Sequence, residues 1–156
     1  MKKAYLLSLL VALSITTYSQ SIKSLEQIAL TKLTIAELSK KLGSEYEAPI
    51  IGDKAATGDI GCTYKSKTNP NKVISVLYNS IFKQAWFFSI KGSSENLPSY
   101  MNEFKNNGYS AHSPQTYERG LVKKYPYEKG KFKGVIEIGA EVGDGNLIVD
   151  FQYEIN

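Results

Sequence analysis

The sequence holds one cysteine and one histidine among 156 residues, and each scarcity removes a class of function. A lone Cys62 cannot close an internal disulfide, so a small disulfide-stapled scaffold is excluded. Because it alternates with Ile60 and Tyr64, it is expected to be a buried small hydrophobe. His112 sits in the stretch Tyr109-Ser-Ala-His-Ser-Pro114, with serines only as sequence neighbours. A nucleophile and its base normally meet across the fold, so this is not a catalytic signature. One Cys and one His supply no spaced set of zinc ligands. "GAEVGDGN" (139–146) lacks the further acids and closing Glu of a calcium loop. No phosphate-cradling glycine motif follows a strand. Glu137, Glu141 and Asp150 are the acids from which a glycosidase pair could be built, but Glu137 and Glu141 alternate onto an outer face. The expectation is a protein that is not an enzyme, with a small hydrolase as the residual case, and with no cofactor or metal.

The apolar run Ala4 to Ile15, broken only by Ser8 and Ser14, falls short of the about 20 residues needed to span a bilayer. Lys2 and Lys3 precede it, and Thr17 and Ser19 occupy the −3 and −1 positions of a cut before Gln20. This is the layout of a bacterial secretory signal peptide, so residues 1–20 are read as a leader. Residues 21–156 are read as one α+β domain of periplasmic or secreted location. No Cys follows the apolar run, so a lipoprotein signal is not expected.

The formal charge is +4, and Lys2 and Lys3 supply two of those charges, leaving +2 on the remainder. That is no nucleic-acid footprint. The basicity is local instead. "KKYPYEKGKFKG" (123–134) packs five lysines and three aromatic rings beside one acid. An uneven field of this kind points to a patch rather than a uniformly basic surface.

Hydrophobic alternation supplies the fold class. Ile60, Cys62, Tyr64, then Ile74, Val76, Tyr78, then Trp86, Phe88, Ile90 read as three antiparallel strands, each buried on one face. A second series follows. Tyr117, Leu121, Tyr125 and Tyr127 share one face of a strand that also places Arg119 and Lys123 on that apolar side. Pro126 argues for a sheet edge. A loop over 128–131 would align Tyr127 with Phe132. Phe132, Ile136, Ile138 and Leu147, Val149, Phe151 form the last hairpin around Asp144-Gly145, a register in which Ile138 faces Phe151. Helices precede each series. Thr34 and Glu37 make a capping box before Ile35, Leu38 and Leu42, closed by Gly43. Leu97, Tyr100, Met101 and Phe104 mark a helix closed by Asn107-Gly108, and a first helical turn over Leu25–Leu33 is suggested by Ser24 and Gln27. The expected fold is α+β: two consecutive α-β-β-β units (34–91 and 97–155) with helices on one face of an antiparallel sheet.

The stretch Leu33-Thr34-Ile35-Ala36-Glu37-Leu38 through Leu42-Gly43, followed by strands near Tyr64 and Val73 to Tyr78, resembles the small envelope domains of the outer-membrane-assembly lipoproteins. The doubled layout is similar to that of the tandem β-lactamase inhibitory proteins. The chain departs from both patterns, lacking the lipobox cysteine, a Gly-Met before Thr34 and the inhibitors' disulfides. The resemblance implies binding to another envelope protein through the open sheet face.

Two functions are therefore expected to compete. The first is an exported protein-binding module (an inhibitor, an immunity-type neutraliser or an assembly accessory) whose partner is another envelope or secreted protein. The alternative is a binder of anionic glycan, lipid head group or nucleic acid through the hairpin 123–133. Nucleic acid is disfavoured by the overall charge, and any membrane contact would be no more than peripheral. The candidate binding residues are Arg119, Lys123, Tyr125, Tyr127, Lys129, Lys131 and Phe132.

Overall fold

The computed structural model describes residues 21–117, 121–139 and 146–155. Two short helices come first. In α1 (Ile22–Ala29) the Ser21 hydroxyl caps the helix by accepting from the Ser24 N–H at 3.2 Å. The helix thus starts three residues before the expected Leu25, because Ser24 is its donor and not its cap. In α2 (Ile35–Leu42) the capping box forms as expected: Glu37 N–H donates to Thr34 Oγ1 at 3.3 Å, and Thr34 N–H donates to Glu37 Oε2 at 2.7 Å. Gly43, at φ +106, ends it in a conformation that a side chain would strain.

Four strands follow: β1 (Ile50–Lys54), β2 (Asp59–Lys65), β3 (Val73–Asn79) and β4 (Gln84–Ser93). After α3 (Leu97–Asn106) come β5 (Ser110–Ala111), β6 (Gln115–Tyr117), β7 (Val122–Lys129), β8 (Phe132–Gly139) and β9 (Asn146–Tyr153). All pair antiparallel in one nine-stranded sheet, ordered β1-β2-β3-β4-β9-β8-β7-β5, with β6 also on β7. The protein is α+β, and each helix precedes more strands than the three expected. The exposed β1 escaped the alternation pattern because none of its residues is buried.

The helices share one face. Ile22, Leu25, Ile28, Leu38, Leu42 and Phe104 are buried against Cys62, Tyr64, Ile74, Val76, Phe88, Ile136, Val149 and Phe151. Each large side chain fully buried there stabilises the fold by about 1.5–3 kcal/mol. The Tyr78 hydroxyl donates to the Leu33 carbonyl at 2.7 Å, tying the α1–α2 connection to β3. The Cys62 thiol is buried as expected, and burial pushes it above its ordinary range, away from the reactive thiolate.

Three expected details are corrected. First, the final hairpin keeps its inward face but not its partners. Phe151 lies opposite Gly134, and Ile138 lies opposite Leu147, a slip of four residues that preserves the period of two. The expected turn Asp144-Gly145 falls outside the described residues. Second, Lys129 pairs with Phe132 across a two-residue turn, in which Gly130 has φ +57, so Tyr127 faces Gly134 rather than Phe132. Glycine at the first turn position allows this tighter connection. Third, Tyr117 and Tyr125 do not lie on one strand. Tyr117 belongs to β6, which turns back to pair with Val122 of β7. Pro126 accordingly lies one strand in from the edge. Its missing N–H points into the gap between β5 and β6, where its carbonyl accepts from His112 N–H at 2.9 Å.

Candidate functional site

The expected binding residues divide between several environments. Arg119 lies outside the described residues. Tyr127 is buried, its ring stacked on Phe104 at 4.5 Å and 7°. Phe132 is half-buried and packs on Phe151 (5.5 Å) and Tyr153 (5.0 Å). Tyr125 also packs against the core. Lys129 donates to Glu26 of α1 at 2.8 Å and 3.0 Å and stands 5.2 Å from the Tyr109 ring, so it ties the β7–β8 hairpin to a helix. Lys123 is exposed on the helix side beyond the helices' reach, and Lys131 is exposed in the turn. Lys124 points to the opposite face and bonds Glu137 at 2.7 Å. The lysine cluster is contiguous in sequence but is split between two faces, with two of its five charges already paired. His112 is exposed beside Glu128 at 3.3 Å.

The broad unoccupied surface is the other face of the sheet. The residues that α1, α2 and α3 bury belong to the core on the other side, while on this face Val122 is buried at the β6 end. Its residues follow from the register in cross-strand rows. One row runs Thr63, Ser75, Ser89, Asp150, Val135, Pro126, and the next runs Gly61, Leu77, Phe87, Gln152, Lys133, Glu128. A third runs Lys65, Val73, Lys91, Ile148, Glu137, Lys124. Leu77, Val73, Phe87, Val135, Ile148 and Pro126 are all half-buried, neither core nor fully solvated.

The charges on this face are organised. Asp150 lies at its centre, with one carboxylate oxygen buried and without a partner. Burial, foremost, pushes its carboxyl above the usual aspartate range; the Ser89 hydroxyl opposes the shift, the Glu137 charge adds to it and Lys124 opposes it. Lys124 is held above its ordinary value chiefly by its hydrogen bond to Glu137, and its ammonium lies 5.1 Å from the exposed Tyr117 ring. At the far end Asp59 accepts from Thr57 Oγ1 (2.7 Å), Asn79 Nδ2 (2.9 Å) and Trp86 Nε1 (3.0 Å). Those bonds, the Thr57 one first, hold its carboxyl below the usual range.

Alternation misplaced Trp86. The β3–β4 ladder shifts by one residue: Leu77 opposes Phe87, but Tyr78 opposes Ala85. Trp86 is the extra residue, and Ala85 fills the core position that alternation assigned to it. The signal was present in "AWFF" (85–88), where three consecutive aromatics cannot all follow a period of two.

Among the described residues, no three His, Cys, Asp or Glu side chains gather where they could hold a metal ion, and no helix is long and apolar enough to cross a membrane. Compared with known proteins, the chain matches no family model, no curated protein and no solved structure.

Proposed function

We propose that this chain is an exported protein-binding module of the bacterial envelope, of the inhibitor, immunity or assembly-accessory kind, and that it binds through the uncovered face of its sheet. The observation that carries the reading is the asymmetry of the sheet. One face is filled by three helices, while the other displays half-exposed apolar side chains between ordered polar ones. A contiguous run of exposed apolar side chains rimmed by polar ones marks an interaction surface. The leader-like N-terminus supports an envelope location, and the resemblance to small envelope domains supports a protein partner.

The same reading extends to the architecture. Strand order is mirrored about the β4–β9 seam, with β3 and β8 next and β2 and β7 beyond them. We take this as two α-β units joined edge to edge, the first led by α2 and the second by α3. A circular permutant opened between β4 and α3 should then fold with an unchanged circular dichroism spectrum, and a permutant that stays unfolded speaks against it.

The function is tested by affinity capture from envelope extracts, with variants assigning the face. Ile148→Arg places a long charged side chain on the uncovered face, and Lys123→Glu alters the helix side. Loss of the captured protein with the first variant only is expected. The opposite pattern, with steep loss in salt, would overturn the reading in favour of an anionic ligand on the hairpin.

A further inference from the structure

The β-bulge in β4 has a consequence for recognition. Consecutive residues of a strand face opposite ways, yet Trp86 and Phe87 both lie on the uncovered face, because the one-residue shift turns the indole outward. The indole is pinned there: Nε1–H donates to Asp59 Oδ1 at 3.0 Å, and Asp59 is held in turn by Thr57 and Asn79. Leu77 lies directly across from Phe87. The network reaches the adjoining turn, where Asn79 Oδ1 accepts the N–H groups of Ile81 and Phe82 at 3.0 and 3.1 Å. Those two side chains are 64% and 45% exposed. A turn of this kind would ordinarily carry polar residues; here a buried asparagine fixes two large apolar ones in the open.

We propose that Trp86, Phe87 and Leu77 are the anchor by which the uncovered face grips an apolar segment of a partner protein; this rests on the reading that the partner meets that face. Three observations favour this occupant. Trp side chains dominate binding energy where they are held in place before contact, and hydrogen bonding to Asp59 provides that preorganisation. The stretch of the row from Gly61 through Leu77 and Phe87 to Gln152 carries no charge, and the three protein donors on the nearby Asp59 commit that carboxylate to holding the indole, so what this stretch offers a partner is apolar contact. The rings stand 6.2 Å apart and tilted by 57°, so together they present a ridged apolar surface that partner side chains can fit between.

Trp86 is the single tryptophan of the chain, so its emission reports on the site directly. The exported, processed protein is used to select binders from a random-peptide display library. Selected peptides are expected to be rich in Leu, Ile and Phe, to shift Trp86 emission to the blue, and to hold their affinity between low and high salt. Phe87→Ala and Trp86→Ala should each weaken them about tenfold or more, with folding checked by circular dichroism; Phe87→Ala, a half-exposed site, keeps the test valid should the Trp86 variant misfold. Peptides that ignore Phe87→Ala but are lost with Ile148→Arg would overturn the anchor and leave the face as the binding surface. Peptides indifferent to all three would overturn both. A neutral oligosaccharide such as cellotetraose that shifts Trp86 emission where no peptide does, or a library that yields no peptide for this face, would also overturn the anchor.

Discussion

Replacing Gly134 by alanine should damage the fold through a single contact. A Cβ at this position would lie closer than 3.0 Å to Cε1 and Cζ of Phe104 and 3.3 Å from its Cδ1. Phe104 has no room to withdraw. It is fully buried, stacked on Tyr127 at 4.5 Å and edge-on to Tyr109 at 5.0 Å. Overpacking of this kind costs about 1–3 kcal/mol, and the rigid aromatic surround places it near the upper end. Alanine recovers about 0.5–1 kcal/mol of the backbone entropy that glycine loses in a strand. The expected net loss is therefore about 2 kcal/mol, read from urea denaturation as a lower midpoint with an unchanged slope. Gly61→Ala is the control, since nothing lies within 4 Å of its Cβ, and it should be neutral or slightly stabilising. In a Phe104→Leu background the smaller side chain makes room, so Gly134→Ala should cost under about 0.5 kcal/mol there. An equal cost in both backgrounds, or no cost in either, would refute the packing of α3 on β8.

Other outcomes follow from single groups. Burial raises the Asp150 carboxyl in the folded state, so its ionisation opposes folding: stability is fully present below the ordinary aspartate pKa and is lost as pH rises through the folded value. Asp150→Asn should therefore stabilise the protein at neutral pH and lose that advantage in acid; parallel pH–stability curves for the two proteins would contradict this. Lys129→Ala should cost about 1 kcal/mol, an amount that shrinks in salt, through the Glu26 pair, whereas Lys131→Ala should change stability by less than about 0.5 kcal/mol. Equal effects would mean the hairpin is not tied to α1. Mass spectrometry of the exported protein should find a chain starting at or near Gln20, and an intact Met1 on that protein would refute the leader.

The alternation of residues determined by itself which side chains of β2, β3 and β9 turn inward, because a period of two depends only on local backbone geometry. The α2 cap was equally legible, since Thr34 and Glu37 satisfy each other's backbone groups without help from elsewhere. Partner choice was not. A slip of four residues leaves every side chain of the last hairpin on its expected face, so pattern alone could not separate Phe151 opposite Ile138 from Phe151 opposite Gly134. Space decided it, because Phe104 needs a position without a Cβ beneath it, and Gly134 supplies one. The lysine-rich hairpin shows the same division. Sequence placed five lysines together, but only the approach of α1 gave Lys129 its carboxylate, and only the pairing of β7 with β8 gave Lys124 another on the opposite face. The run AWFF shows that the alternation must break, but only the tertiary structure decided that Trp86 is the residue that turns outward. The bulge lies in the pairing of β4 with β3, and the hydrogen bond that holds the indole comes from Asp59 of β2, so no single strand carries that information.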